Sequence, residues 1–123
     1  MPIDKQECAR ILIVEDNPML ALDLEELLVD AGFKVAAIAG KLEKALALIE
    51  SGGFDAAVLD ANLAGVSASP LASAMTARGL PFIVLSGYSS EQLQGAFSGA
   101  LLLQKPCRPT QIIQALNNIV PKQ

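Results

Sequence analysis

The sequence predicts a doubly wound α/β domain, with five parallel strands in one sheet and helices on both of its faces. Three observations point there. Five short apolar runs alternate with five segments that carry helical periodicity or helix-capping signals. The runs are largely continuous rather than strictly alternating, which suits strands buried on both faces. Each crossover is long enough to hold one helix, as parallel neighbours require.

The chain has 123 residues, the size of one domain. It is 52% hydrophobic and 18% charged, so it can bury a core. Aromatic residues make up only 4% and there is no Trp, so that core is aliphatic.

The elements follow in order. Residues 1–8 are polar and are read as a flexible tail, leaving 9–123 as the domain. Residues 9–14 (ARILIV) form the first strand, which ends in Glu15 and Asp16. Asn17-Pro18 starts a helix, Asn as N-cap and Pro at the first helical position. Leu20, Leu24, Leu27, Leu28 and Ala31 recur at helical spacing, and Gly32 ends the helix. Residues 34–39 form an Ala-rich second strand. Residues 41–51 form a second helix, with Leu42, Ala45, Leu46 and Ile49 on one face, stopped by Gly52-Gly53.

The third strand, residues 56–59, delivers Asp60 at its exit. Residues 62–68 read as a loop. Ser69-Pro70 repeats the cap-then-proline start for a short helix over 71–78, closed by Gly79. Residues 81–86 (PFIVLS) form the fourth strand, with Pro81 at its tolerated first position. Gly87-Tyr88 is a turn. Ser89 and Gln92 have capping-box spacing and open a short helix that uses Leu93, Ala96 and Phe97. Residues 100–104 form the fifth strand, and Lys105-Pro106 ends it. The last helix covers about 109–120, with Ile112, Ile113, Leu116, Ile119 and Val120 apolar.

In such a fold, ligands bind outside the C-terminal strand ends. Strand one brings Glu15 and Asp16 there. Strand three brings Asp60, with Asn62 just beyond. Strand four brings Ser86, and strand five brings Lys105. Three carboxylates on one rim repel one another, and a hard divalent cation relieves that conflict. Mg²⁺ takes oxygen ligands and is held by one or two carboxylates together with phosphate oxygens. Glu15, Asp16 and Asp60, with the backbone carbonyl of Asn62, are the candidate ligands. Asp60 is then the candidate nucleophile, attacking phosphorus in line to give an acyl phosphate. Lys105 and the cation offset charge on the equatorial oxygens, and Ser86 donates one hydrogen bond to the product.

Each piece also has a plainer role. An Asp after a strand is commonly a turn former or helix cap. Glu15 and Asp16 suit a helix N-terminus through its dipole. Asn62 suits a loop, Ser86 a turn, and a Lys before Pro suits the solvated surface. The coincidence of all of them at four of five strand exits is what carries the reading.

Composition excludes other chemistry. With no His, Ser-His-Asp and Cys-His catalysis and most zinc sites are ruled out. Cys8 and Cys107 have no metal or redox spacing and are read as reduced thiols in a cytoplasmic protein. A net charge of -4 and the absence of a clustered basic face argue against direct nucleic-acid binding. No apolar run approaches the roughly 20 residues of a membrane span, and the N-terminus has no apolar signal region. No G-x-G-x-x-G or P-loop marks a nucleotide or flavin site.

The ordered set of Glu15-Asp16, Asp60, Ser86 and Lys105-Pro106 resembles the receiver domain of two-component response regulators, over residues 10–120. FDAAVLDANL and PFIVLSGY are also similar to a stand-alone, single-domain subgroup whose fourth-strand motif is roughly PFxFATGY. The resemblance implies a flavodoxin-like (βα)5 fold with strand order 2-1-3-4-5. It implies that Asp60 takes a phosphoryl group, with Mg²⁺, from a phosphohistidine on a sensor histidine kinase or histidine phosphotransfer protein. It further implies self-catalysed hydrolysis and a rearrangement near strands four and five. The chain would then be a signalling module that catalyses only its own phosphorylation and dephosphorylation.

The departures are specific. Receivers often carry an aromatic switch residue three positions before the Lys; here that position is Leu102, paired in the switch with Ser86. Tyr88, with Gly87 in the phosphoryl environment, is expected to take over part of that role or to shield the phosphoryl group. Replacing Tyr88 with Ala and timing phosphate loss tests this; an unchanged lifetime and partner affinity discards it. Cys107 stands where a Phe is familiar. Glu15 stands for a commoner Asp and can reach through a metal-bound water.

Two other functions stay open. Asp60-Ala61-Asn62 faintly resembles the DxD motif of haloacid-dehalogenase-like hydrolases, which would make a small Mg²⁺-dependent phosphatase. A receiver-like interaction module that is never phosphorylated is the other. Taken as complete, the chain carries no effector domain and is expected to act on a downstream protein through its last two helices and fifth strand. A homodimer through that surface is left open, as are the cognate kinase and the output partner.

Overall fold

A computed structural model of the chain describes residues 9–63, 66–86, 101–104 and 108–120. Strand β1 (Arg10–Val14) leads into helix α1 (Pro18–Asp30), then β2 (Lys34–Ala39), α2 (Leu42–Ser51) and β3 (Ala56–Asp60). A pair of two-residue strands, β4 (Asn62–Leu63) and β5 (Val66–Ser67), precedes α3 (Ser69–Ala77). Strands β6 (Phe82–Ser86) and β7 (Leu101–Gln104) and helix α4 (Pro109–Ile119) complete it. The helix expected from Ser89 lies outside the described residues.

The main sheet has five strands in the order β2-β1-β3-β6-β7, with every neighbouring pair parallel. With the small hairpin set aside, this is the order 2-1-3-4-5. Strand periodicity divides the core into two layers. Leu12, Val14, Ala57, Leu59 and Val84 point to the face packed with α2 and α3. Ile11, Ile13, Ala56, Val58, Ile83 and Leu85 point to the face packed with α1 and α4. Every residue of β3 is buried, as a central parallel strand demands. A fully buried aliphatic side chain contributes about 1.5–3 kcal/mol, and these layers hold the strand ends in fixed register.

Three local expectations are corrected. Helix α1 buries Ala21, Leu24 and Leu28, while Leu20 and Ala31, expected on the core face, are exposed. The helix is apolar on more than one side, with Met19, Leu20, Leu22 and Val29 exposed and Ala21 buried. The segment expected as a loop over 62–68 contains the β4–β5 hairpin, with Asn62 opposite Ser67 and Leu63 opposite Val66. Ser69 is not the cap of α3 but its first residue; the Ser67 hydroxyl accepts from the Ser69 N–H at 3.1 Å.

Candidate functional site

The site is built by register. Val14 pairs with Leu59 across β1 and β3, so the next residues, Glu15 just past β1 and Asp60 at the end of β3, lie side by side. Asp60 pairs with Leu85 on β6, which puts Ser86 one residue further along the neighbouring strand. The ladder continues past both ends: the Glu15 N–H donates to the Ala39 carbonyl at 2.9 Å, and the Ala61 N–H to the Leu85 carbonyl at 2.9 Å. These bonds fix the backbone that carries the acids.

Carboxylate oxygens of Glu15, Asp16 and Asp60 all lie within 4.8 Å of one another. Glu15 is 4% exposed, Asp60 8% and Ser86 2%; Asp16 is the more open member of the acid group. Buried carboxylates this close must be paired with positive charge or strong donors. One donor comes from the N-cap of α1. The Asn17 N–H donates to Glu15 Oε2 at 3.1 Å, while Asn17 Oδ1 accepts from the N–H groups of Met19 at 2.9 Å and Leu20 at 3.4 Å. The Asn-Pro start signalled the helix cap. Its second task, holding Glu15 through the backbone, has no sequence signature.

The donor set is hard oxygen throughout, which suits a hard divalent cation better than a soft metal. Beside the acids, a groove of about 770 Å³ runs between α1 and α4, reaching from Glu15 past Leu24, Leu27 and Ile112, with Asp23, Glu26 and Asp30 along it.

Of the expected site residues, Glu15, Asp16 and Asp60 converge, and Ser86 sits on the adjoining strand end. Asn62 lies in β4, one residue past Ala61. Leu102 lies in β7 opposite Val84. Lys105, Gly87 and Tyr88 lie outside the described residues.

A family model for the response regulator receiver domain matches residues 11–117. The solution structure of SdrG from Sphingomonas melonis Fr1 is similar, with 35% identity, a TM-score of 0.78, and 95% of this chain and 98% of that one covered. A response regulator receiver protein from Sinorhizobium medicae WSM419 is similar at 27% identity, with a TM-score of 0.83, covering 93% and 95% of the two chains. The transcriptional regulatory protein PdtaR of Mycobacterium tuberculosis is 27% identical over 117 residues; the match takes in 92% of this chain but 57% of that relative's length.

Proposed function

Because this chain belongs to the response regulator receiver family, we propose that Asp60 is its phosphoacceptor, loaded from a phosphohistidine on a sensor histidine kinase or histidine phosphotransfer protein. The observation that carries the reading is the convergence of Glu15, Asp16 and Asp60 at the C-terminal edge of the sheet, with Asp60 buried at the end of β3.

Glu15, Asp16, Asp60 and the Asn62 carbonyl would hold Mg²⁺, which supplies charge neutralisation to the phosphoryl oxygens. The chain's own groups do the rest. A carboxylate oxygen of Asp60 forms the new P–O bond as the P–N bond of the donor breaks, and the departing imidazole nitrogen keeps the electron pair and takes up a proton. Ser86 donates a hydrogen bond to a phosphoryl oxygen, and Lys105 places its ammonium against the same charge. In resetting, water forms a bond to phosphorus, the P–O bond to Asp60 breaks, and the carboxylate and inorganic phosphate are recovered.

Receiver domains are signalling modules, and output here is proposed to pass to a downstream protein through the last two helices expected from the sequence and the fifth strand of the sheet, β7. We place the chain in the cytoplasm, where its kinase partner would present phosphohistidine. Loading is tested against the phosphatase reading with a generic aryl phosphate ester. At most one phosphoryl group per chain is expected, with any later release of phenol no faster than hydrolysis of the Asp60 acyl phosphate; rapid turnover that Asp60 labelling cannot account for would overturn the reading.

A further inference from the structure

Asn17 does two things at once. Its side chain caps α1, accepting from Met19 and Leu20, and its backbone N–H donates to the buried carboxylate of Glu15. Its carbonyl also accepts from the Ala21 N–H at 2.9 Å. The first turn of α1 is therefore tied at both ends to one residue, and that residue is tied to one of the three clustered acids.

We infer that Asn17 is a positioning residue for cation binding, and that the first turn of α1 and the acid cluster are thermodynamically coupled through Glu15. The inference rests on reading the cluster as a divalent cation site. Glu15 is longer than Asp, so its carboxylate has more conformations to lose before it can serve the cluster. The Asn17 N–H at 3.1 Å restricts that freedom by holding Oε2. The N–H stays aimed only while the cap holds the turn. By linkage, a cation that draws on Glu15 must tighten the turn as much as the turn improves the cation's affinity. Contacts to metal ligands of this kind are typically worth 10- to 100-fold in affinity.

The test uses the full chain and Mg²⁺ alone. Calorimetric titration compares wild type, Asn17→Ala, which loses the cap, and Asn17→Ser, which restores a capping oxygen. Amide exchange at Met19 and Leu20 is read with and without Mg²⁺. Asn17→Ala is expected to bind Mg²⁺ about tenfold more weakly, Asn17→Ser to stay within about twofold of wild type, and wild-type exchange at both amides to slow on adding Mg²⁺. Equal affinities for wild type and Asn17→Ala, equal weakening in both variants, or exchange indifferent to Mg²⁺ would overturn the inference while leaving the cation site standing. Wild type that does not bind Mg²⁺ would overturn both. Melting curves of both variants separate a local effect from loss of fold.

Discussion

Val14 and Leu59 are register partners in the β1–β3 ladder, and that pairing sets the buried acids Glu15 and Asp60 together. Apolar packing thus brings like charges within 4.8 Å of each other. Removing one charge is expected to relieve the conflict. Without Mg²⁺, Asp60→Asn should melt about 3–6 °C higher than wild type, corresponding to roughly 1 kcal/mol. Mg²⁺ should stabilise wild type by about 2.7 kcal/mol at a hundred times its dissociation constant, and Asp60→Asn far less. Thermal melts in chelator and in Mg²⁺ check both statements; a variant that melts lower than wild type in chelator contradicts them.

Ser86 has 2% exposure and ends the strand beside Asp60. A hydrogen bond to a charged group is worth about 1.5–3 kcal/mol. Ser86→Ala is therefore expected to slow phosphorylation by a small donor roughly 10- to 100-fold, while Mg²⁺ affinity is unchanged. Rapid-quench labelling gives the rate, and a rate equal to wild type removes Ser86 from the mechanism.

The two sides of α1 make opposite forecasts. Leu28 is fully buried, whereas Leu22 is 53% exposed. Leu28→Ala should cost about 2–5 kcal/mol, and Leu22→Ala should fall within about 0.5 kcal/mol of wild type. Urea denaturation distinguishes them, with similar losses at both positions contradicting the observed orientation of the helix.

Stability should also respond to acid at the opposite end of the sheet. Burial raises the Asp55 carboxyl's pKa, but hydrogen bonds from the Arg10 N–H and guanidinium, together with its charge, outweigh this and leave it below its ordinary 3.8. A carboxyl depressed in the folded state stabilises fully above its unfolded pKa and loses that contribution as pH falls through its folded value. The pair is largely solvated, so the effect is small and screened by salt. Asp55→Asn should flatten the fall in melting temperature below about pH 4, and an unaltered acid limb would exclude the pair from it.

The sheet and the acids were legible because their signals are local and blunt. Apolar runs stop abruptly at Glu15, Asp60 and Ser86, and one topology carries all three stops to one edge. The hairpin through Asn62–Leu63 and Val66–Ser67 was not legible, because two-residue strands are too short to show a period. The face of α1 was legible only in part: Leu24, Leu27 and Leu28 pack on the core, but Met19, Leu20, Leu22 and Val29 are apolar yet exposed, so periodicity alone could not set the edges of the stripe. The contact between Asn17 and Glu15 escaped for another reason. It is made by a backbone N–H, which every residue but proline possesses.

The most direct measurement is intact mass after incubation with acetyl phosphate and Mg²⁺. Wild type is expected to gain the mass of one phosphoryl group, and Asp60→Asn or wild type in chelator to gain none. Wild type that stays unmodified with Mg²⁺ present, or an Asp60→Asn variant that is labelled as fully as wild type, would contradict the assignment of Asp60 as the phosphoacceptor.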